Sequence, residues 1–252
     1  MVGVSFAKAF AWALGIPLID VDHMHAHIMA NFLRVPGESR SMPEFPFLCL
    51  IVSGGHTQIA IVRNPLEREI IGNTIDDAAG ETFDKAAKIM SLPYPGGPVI
   101  DKLAQSGNAS AFRFAKPRIA DLNFSFSGLK TSILYFLRDE LKKDEQFIEK
   151  NTADLCASIQ KTIIDILVEK TEKAVNETGI RTLALAGGVS ANSVLRAAMR
   201  QLADKHKLDL HIPKLSYTTD NAAMIAMAGY FRYQQGLYAG LDAAPYATGV
   251  KA

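Results

Sequence analysis

The sequence predicts an α/β protein, and three observations carry that expectation. Short β-branched or apolar runs, Phe47–Val52, Thr57–Val62 and Thr182–Ala186, alternate with longer stretches of helical periodicity. Glycine turns stand at the ends of those runs, at Gly54-Gly55 and at Gly187-Gly188. The 252 residues, 48% hydrophobic and 21% charged, suit one large globular domain or two lobes at ~150 residues per domain.

The elements follow in order. Ser5–Leu14 is Ala-rich and stops at Gly15-Ile16-Pro17, a helix followed by a breaker. Leu18–Val21 reads as a short strand and His23–Leu33 as a helix. A connector from Arg34 to Pro46 holds Pro36, Gly37, Pro43 and Pro46 and is the first candidate lobe boundary. Phe47–Val52 and Thr57–Val62, joined through Ser53-Gly54-Gly55-His56, predict a β-hairpin. Helical patterns cover Ala79–Met90, Pro98–Ser106, Gly128–Arg138 and roughly Glu145–Thr178, the last ending at Gly179. Thr182–Ala186, apolar almost throughout, predicts a strand buried on both faces. A helix from about Ala191 to Lys205, a strand at Leu210–Ile212 and a helix over Asn221–Gln234 complete the chain.

Composition excludes several classes. Disorder and collagen-like repeats do not fit it. Lys+Arg 27 against Asp+Glu 26 gives +1, so the global field steers no polyanion and any nucleic-acid contact needs a local patch. Two cysteines, Cys49 and Cys156, build no disulfide framework and form no C-x-x-C pair, which suits a reducing compartment. In the apolar Met1–Leu18 segment Lys8 interrupts the run rather than preceding it, and no A-x-A site follows. No apolar stretch reaches the ~18 residues of a membrane span. A soluble cytoplasmic protein is expected.

Several constellations could carry chemistry. His23 and His27, spaced i, i+4, share one helical face and can share one ion, with His25 pointing elsewhere; on a strand, all three would share a face. The following Ile28–Leu33 lacks β alternation and favours the helix. Met24 stands where a zincin motif has its general-base Glu. The Ser53–His56 turn offers glycine amides for an anion nest, although a hairpin needs glycine for backbone reasons alone. Gly187–Asn192 lies between a buried strand and a helix, where open α/β sheets bind ligands; Asn192 could meet a base or ribose, or Ser190 could simply cap the helix. Asp101, behind Tyr94–Pro98, could meet ribose hydroxyls, and Glu81 with Lys85 forms an i, i+4 ion pair. Thr219 or Asp220 reads as a helix N-cap, and Asp220 equally as a carboxylate completing a site with two histidines.

The order of these motifs is more specific than any one of them. His23-x-x-x-His27, Val52–Thr57, Asp76–Lys85, Tyr94–Pro98, Phe124–Thr131, Gly187–Asn192 and Thr219–Asn221 together resemble the tRNA N6-adenosine threonylcarbamoyltransferase family, formerly called O-sialoglycoprotein endopeptidase. The resemblance implies a two-lobed actin-like ATPase (ASKHA) fold. It also implies transfer of threonylcarbamoyl from threonylcarbamoyl-AMP to N6 of adenine 37 in tRNAs that read codons beginning with A. By position, His23, His27 and Asp220 match ligands for one iron or zinc ion. Ile51, Val52, Ser53, Gly54, Gly55, Asp84, Gly97, Asp101 and Asn192 match adenylate-binding positions. No residue is matched as the catalytic base. Implied partners are tRNA, the paralogue TsaB and the ATPase TsaE.

Family members begin with a strand and a Glu-Thr-Ser-Cys-Asp-type motif, absent here. The expectation is therefore a first lobe reduced to residues 1–45 and 217–252, a whole second lobe over 46–216, impaired transfer and self-association. A metalloprotease resting on the histidine pair and a non-catalytic nucleotide-binding fragment are the alternatives. Lys85, Lys88, Lys102, Arg113, Lys116, Arg118 and Lys130 make a moderately basic middle that a solvated surface would also show.

Overall fold

The computed structural model describes residues 2–34, 37, 41–117 and 119–245. Arg118 and part of the proline-rich connector, Pro36 included, lie outside the described residues. Five strands form one mixed sheet in the order β3-β2-β1-β4-β5. They are β1 Phe47–Val52, β2 Thr57–Asn64, β3 Glu67–Asn73, β4 Thr182–Ala186 and β5 Asp209–His211. β1–β2 and β2–β3 pair antiparallel, as the hairpin signal required, while β1–β4 and β4–β5 pair parallel. Thus β1 is central, and all six of its residues are buried.

Period-2 alternation divides the core in two. Leu48, Leu50 and Val52 of β1, with Leu183 and Leu185 of β4, face a large cluster built with α3 Ala79–Ile89, α4 Gly96–Ala104, α5 Ser127–Leu141, α6 Phe147–Thr178 and α7 Ser193–His206. Phe47, Cys49 and Ile51, with Ala184 and Ala186, face α2 His23–Met29, its continuing 3-10 turn Ala30–Phe32, and α8 Ala222–Gln234. The small Ala184 and Ala186 let the buried helices approach the sheet. Asn31 ties that layer to the sheet through a hydrogen bond from Nδ2 to the Leu185 carbonyl, 3.1 Å. α1 Val2–Leu14 precedes all of this and buries only Ala11.

Several expectations need correction. Leu18–Val21 is no strand among the described residues; Leu18 makes a single antiparallel bridge to Ala239, whose amide donates to the Leu18 carbonyl at 2.8 Å. β3 was not legible, because Glu67-Arg68-Glu69 is charged and the strand is largely exposed at the sheet edge. α4 starts at Gly96 rather than Pro98, since Asp84 Oδ1 accepts from the Gly96 amide at 2.7 Å and begins the helix two residues earlier. Ser190 does not cap α7. It is buried within a 3-10 turn, Gly188–Ala191, and Asn192 is the cap, accepting from the Leu195 amide at 2.9 Å. Likewise Asn221, not Thr219 or Asp220, caps α8 by accepting from the Met224 amide at 2.9 Å.

Two local constraints hold loops around the sheet, one at the carboxyl ends of β1 and β4 and one after β3. Gly187 has φ +87°, and a Cβ there would lie 2.4 Å from the Val52 carbonyl oxygen. Asp76 gathers the chain ahead of α5, accepting from the Phe126 amide at 2.7 Å, from Ser127 Oγ at 2.9 Å and from the Ser125 hydroxyl. Partial burial pushes the Asp76 carboxyl up, but these hydrogen bonds outweigh it and hold the group below its ordinary value.

Two outcomes are expected. Gly187→Ala should destabilise the fold by about 2 kcal/mol or more, through positive φ and the carbonyl clash together, read as a lower urea midpoint; an unchanged midpoint contradicts the packing described. Asp76→Ala should cost about 1–2 kcal/mol at pH 7. Because the folded carboxyl is depressed, its stabilisation is present above the unfolded value of about 3.9 and is lost as pH falls through the lower folded value. The gap between wild type and Asp76→Ala should therefore narrow in urea titrations near pH 3.

Candidate functional site

The N-terminus of α2 sets the first half of the site. Asp22 caps it, its Oδ1 accepting from the His25 amide at 2.7 Å and pairing with Arg68 Nη1 of β3 at 2.8 Å. Burial raises the Asp22 carboxyl, but Arg68 and the His25 amide hold it below its ordinary value. One helical turn then aligns His23 and His27, their rings 4.8 Å apart and nearly perpendicular. His25 points away, its Nε2 lying 2.8 Å from the Pro65 carbonyl. The helical spacing is thus the one realised, and the three-histidine strand face is not.

Asp220 supplies the other half. With Asn221 taking the cap of α8, the Asp220 carboxylate is free to lie across α2, its Oδ1 3.2 Å from Nε2 of both His23 and His27. The three ligand atoms lie within 4.8 Å of one another, the one such convergence of histidine, cysteine or carboxylate groups found among the described residues. His27 is 2% exposed and Asp220 largely exposed, so the group opens outward from a buried base. Burial, then the neighbouring His23, lowers the pKa of His27 against the pull of Asp220, which keeps the imidazole neutral near pH 7.

This donor set fits a transition metal. Ligands ~2.1 Å from a tetrahedral ion stand roughly 3.4 Å apart, close to the two 3.2 Å separations seen here. Neutral imidazole and carboxylate suit iron and zinc alike. The Nδ1 of His27 is buried without a hydrogen-bond partner among the described residues, leaving Nε2 as the edge of that ring able to bind. Met24, where a zincin helix carries its general base, is buried in the apolar layer and contributes no carboxylate.

The glycine turn lies at the end of β1. The Ser53 amide donates to the His56 carbonyl at 2.8 Å, and Ser53 Oγ accepts from the His56 amide at 3.1 Å, which locks the turn. α3 then packs against it. The Gly80 and Glu81 amides donate to the Ser53 and Gly54 carbonyls at 3.2 and 3.1 Å, and the Ala79 amide donates to Thr57 Oγ1 at 2.9 Å. Those bonds replace a side-chain cap on α3, and they occupy the helix N-terminus. A Cβ on Gly80 would stand 2.5 Å from the Ser53 carbonyl oxygen. Gly54 and Gly55 themselves are exposed on the turn.

The other sequence-predicted residues are placed as follows. Ile51 and Val52 are fully buried, so only their backbone can meet a ligand. Asp101 accepts from the Ser193 amide at 3.0 Å and Oγ at 2.7 Å, at the start of α7. Asn192 has both amide atoms engaged, Oδ1 with Leu195 and Nδ2 with Gln160 Oε1 at 2.7 Å. Asp84 lines a cavity of ≈ 460 Å³ beside Tyr94 and Gly96, and Gly97 follows directly in the chain. Glu81 pairs with Lys85 at 2.8 Å, and Asp77 joins the pair at 2.7 Å. The basic middle is largely neutralised at Lys85 and at Lys116, which pairs with Asp165 and Glu169.

Sequence reasoning missed His56. It lies on the glycine turn and lines, with His23, a cavity of ≈ 620 Å³ whose other walls come from α1, the Leu18–Met24 segment, Ile225 and Ala243–Pro245. Its place after Gly54-Gly55 was the available signal. No thiol competes for the chemistry: burial pushes Cys49 well above its ordinary value and Cys156 up to about 11, so neither is a thiolate near pH 7.

Comparison with known proteins gives the family. The sequence model of the family "TsaD: tRNA N6-adenosine threonylcarbamoyltransferase" matches residues 1–227. A protein of that name from Porphyromonas gingivalis is 57% identical over 246 residues, 98% of this chain and 72% of the relative. One from Phocaeicola vulgatus is 54% identical over 98% of this chain and 73% of its own length, and one from Thermosipho africanus 47% over 94% and 69%. Among solved structures, T. kodakarensis HypF superposes with a TM-score of 0.62 at 14% identity over 92% of this chain and 39% of that one, a likeness of fold. Full-length HypF in a phosphate- and nucleotide-bound form gives 0.61 at 13% identity, over 92% and 38%. The α/β layering, the motif order and these matches make the chain a member of the tRNA N6-adenosine threonylcarbamoyltransferase family.

Proposed function

We propose that this chain is an acyltransferase that moves a threonylcarbamoyl group from threonylcarbamoyl-AMP to N6 of adenine 37 in tRNAs reading codons beginning with A. The observation that carries the reading is one cavity bordered by His23 of the histidine site and by His56 of the glycine turn, in a chain 57% identical to a protein of that name. A reactive acyl group and its phosphate leaving group need both kinds of recognition side by side.

In the reaction the exocyclic amine attacks the carbamoyl carbonyl, a new N–C bond forms, the bond to the phosphate oxygen breaks, and AMP departs as the amine loses a proton. Backbone amides of Gly54 and Gly55 hold phosphate or threonyl oxygens, since the Ser53 amide is already bonded to His56. Asp84, Gly97, Asp101 and Asn192 border the adenylate through the loops they hold. His23, His27 and Asp220, whose ligand atoms lie within 4.8 Å of one another, would hold one iron or zinc ion. That ion, when bound, supplies Lewis-acid stabilisation of an anionic oxygen. His27 is kept neutral by burial and is ready to ligate at Nε2.

The fold we propose around this site is actin-like (ASKHA), with lobe II over residues 46–216 and lobe I contributed by 1–45 and 217–252. Packing of α8 against α2 supports that grouping. With a net charge of +1, a tRNA is held by local basic patches and by partners, for which TsaB and TsaE are the proposed proteins and the cytoplasm the proposed place. An anticodon loop presents its base unstacked, so no duplex has to be opened. Among the described residues no helix is long and apolar enough to cross a membrane.

The test is a transfer assay with the chain, its proposed partners TsaB and TsaE, threonylcarbamoyl-AMP and an unmodified tRNA, with product nucleosides read by mass spectrometry. Modified adenosine should form, and Asp220→Ala should slow its formation on the order of 10²-fold or more. Absence of product, or an Asp220→Ala rate equal to wild type, contradicts the reading.

A further inference from the structure

α6 buries four polar side chains, Ser158, Gln160, Thr162 and Thr171, and three of them have local duties. Ser158 Oγ accepts from the Phe112 amide at 3.1 Å and donates to the Asn108 carbonyl at 3.3 Å, tying the chain ahead of α5 to α6. Thr162 and Thr171 donate back to the carbonyls of Ser158 and Leu167, each at 2.8 Å. Gln160 differs. It is 2% exposed, and its Oε1 accepts at 2.7 Å from Nδ2 of Asn192, the residue that ends the Gly187–Asn192 loop and caps α7. A buried amide is unfavourable unless it is hydrogen-bonded, and an aliphatic side chain would fill this place in the core without that demand.

We propose that Gln160 is a positioning residue of the adenylate site, acting through Asn192; this rests on the reading above that Asn192 borders the adenylate. The hydrogen bonds fix both amides. The Leu195 amide is a donor, so the Asn192 atom that meets it at 2.9 Å is Oδ1, and Nδ2 is turned toward Gln160. A donor there needs an acceptor, so Gln160 presents Oε1. The cap alone holds one end of the Asn192 amide, and the second bond fixes the plane in which the remaining N–H of Nδ2 lies. Neither amide nitrogen makes a further hydrogen bond among the described residues, so that N–H is left for a ligand.

The groups around Asn192 are held in the same way. Asp101 of α4 accepts from the Ser193 amide at 3.0 Å and from Ser193 Oγ at 2.7 Å, one residue further along the chain. Arg196 Nη1 donates to the Ser190 carbonyl at 3.1 Å and holds the loop from the α7 side. Gln160 holds it from the α6 side, so three helices fix the start of α7. An amide donor and a carboxylate acceptor on successive residues suit a ribose, whose hydroxyls both accept and donate. A donor whose direction is set before binding costs less ordering when the nucleoside arrives.

Equilibrium dialysis of AMP against the 252-residue chain reads the site without the transfer step, with far-ultraviolet dichroism reporting the folded fraction of each variant. Gln160→Met, which keeps volume and helix propensity, should weaken AMP binding on the order of 10-fold. Gln160→Glu keeps an acceptor oxygen for Asn192 Nδ2 and should stay within about 3-fold of wild type. Asn192→Ser keeps a capping oxygen and removes the amide donor. It should cost about as much as Gln160→Met, and the double variant little more than either, because Gln160 acts only through Asn192. A purely structural role would give losses that multiply. The inference is overturned by Gln160→Met binding AMP as wild type does, by Gln160→Glu binding as weakly as Gln160→Met, or by a multiplicative loss in the double variant. A wild-type chain that does not bind AMP overturns the adenylate reading of Asn192 itself, and this inference with it.

Discussion

The structure depends on one close approach, where the carboxyl ends of β1 and β4 run side by side and leave no room for side chains between their turns. Gly187 lies against the Val52 carbonyl from one direction and Gly80 against the Ser53 carbonyl from another. Because both positions lack a Cβ, the Ser53–His56 turn is held between β4 and the start of α3. The first amides of α3 then satisfy the turn's carbonyls. The Ser53 and Gly54 carbonyls face α3, and Gly54 and Gly55 lie exposed on the turn.

The histidine site depends on a second economy of groups. Asp22 caps α2 and is held by Arg68, so the helix that aligns His23 and His27 is fixed at its origin. Asn221 caps α8, which leaves Asp220 with no structural duty and free to face the two imidazoles. The capping Asn221 and the uncommitted Asp220 stand next to each other in sequence, and that division of labour brings three potential ligand atoms together. Burial under α2 disfavours the protonated form of His27, and only a neutral imidazole has a lone pair with which to ligate.

Much of this was legible in the sequence. The hairpin, the doubly buried β4, the long α6 and its Gly179 end followed from periodicity and glycine placement, because burial on one or both faces writes those patterns directly. The i, i+4 histidines were legible for the same reason. Other features were not. β3 carries charge on an exposed edge and leaves no apolar pattern. Which of Thr219, Asp220 and Asn221 caps α8 is decided by backbone geometry, and three capping residues in a row are indistinguishable by type. Leu18–Val21 has strand composition but makes only one bridge. Asn192 looked like a ligand-binding amide, yet its side chain is engaged by Leu195 and Gln160. The Asp76 clamp joins segments about 50 positions apart, a distance at which local patterns carry no information.

The decisive question is whether His23, His27 and Asp220 act as one metal site or as two histidines beside an acid. Anomalous X-ray scattering at the iron and zinc edges, from crystals of the purified chain, tests that directly. The account predicts a single peak ~2.1 Å from Nε2 of His23, Nε2 of His27 and an Asp220 oxygen, lost in His27→Ala crystals grown alike. A metal-supplemented crystal with no peak there, or an equal peak in His27→Ala, would contradict it.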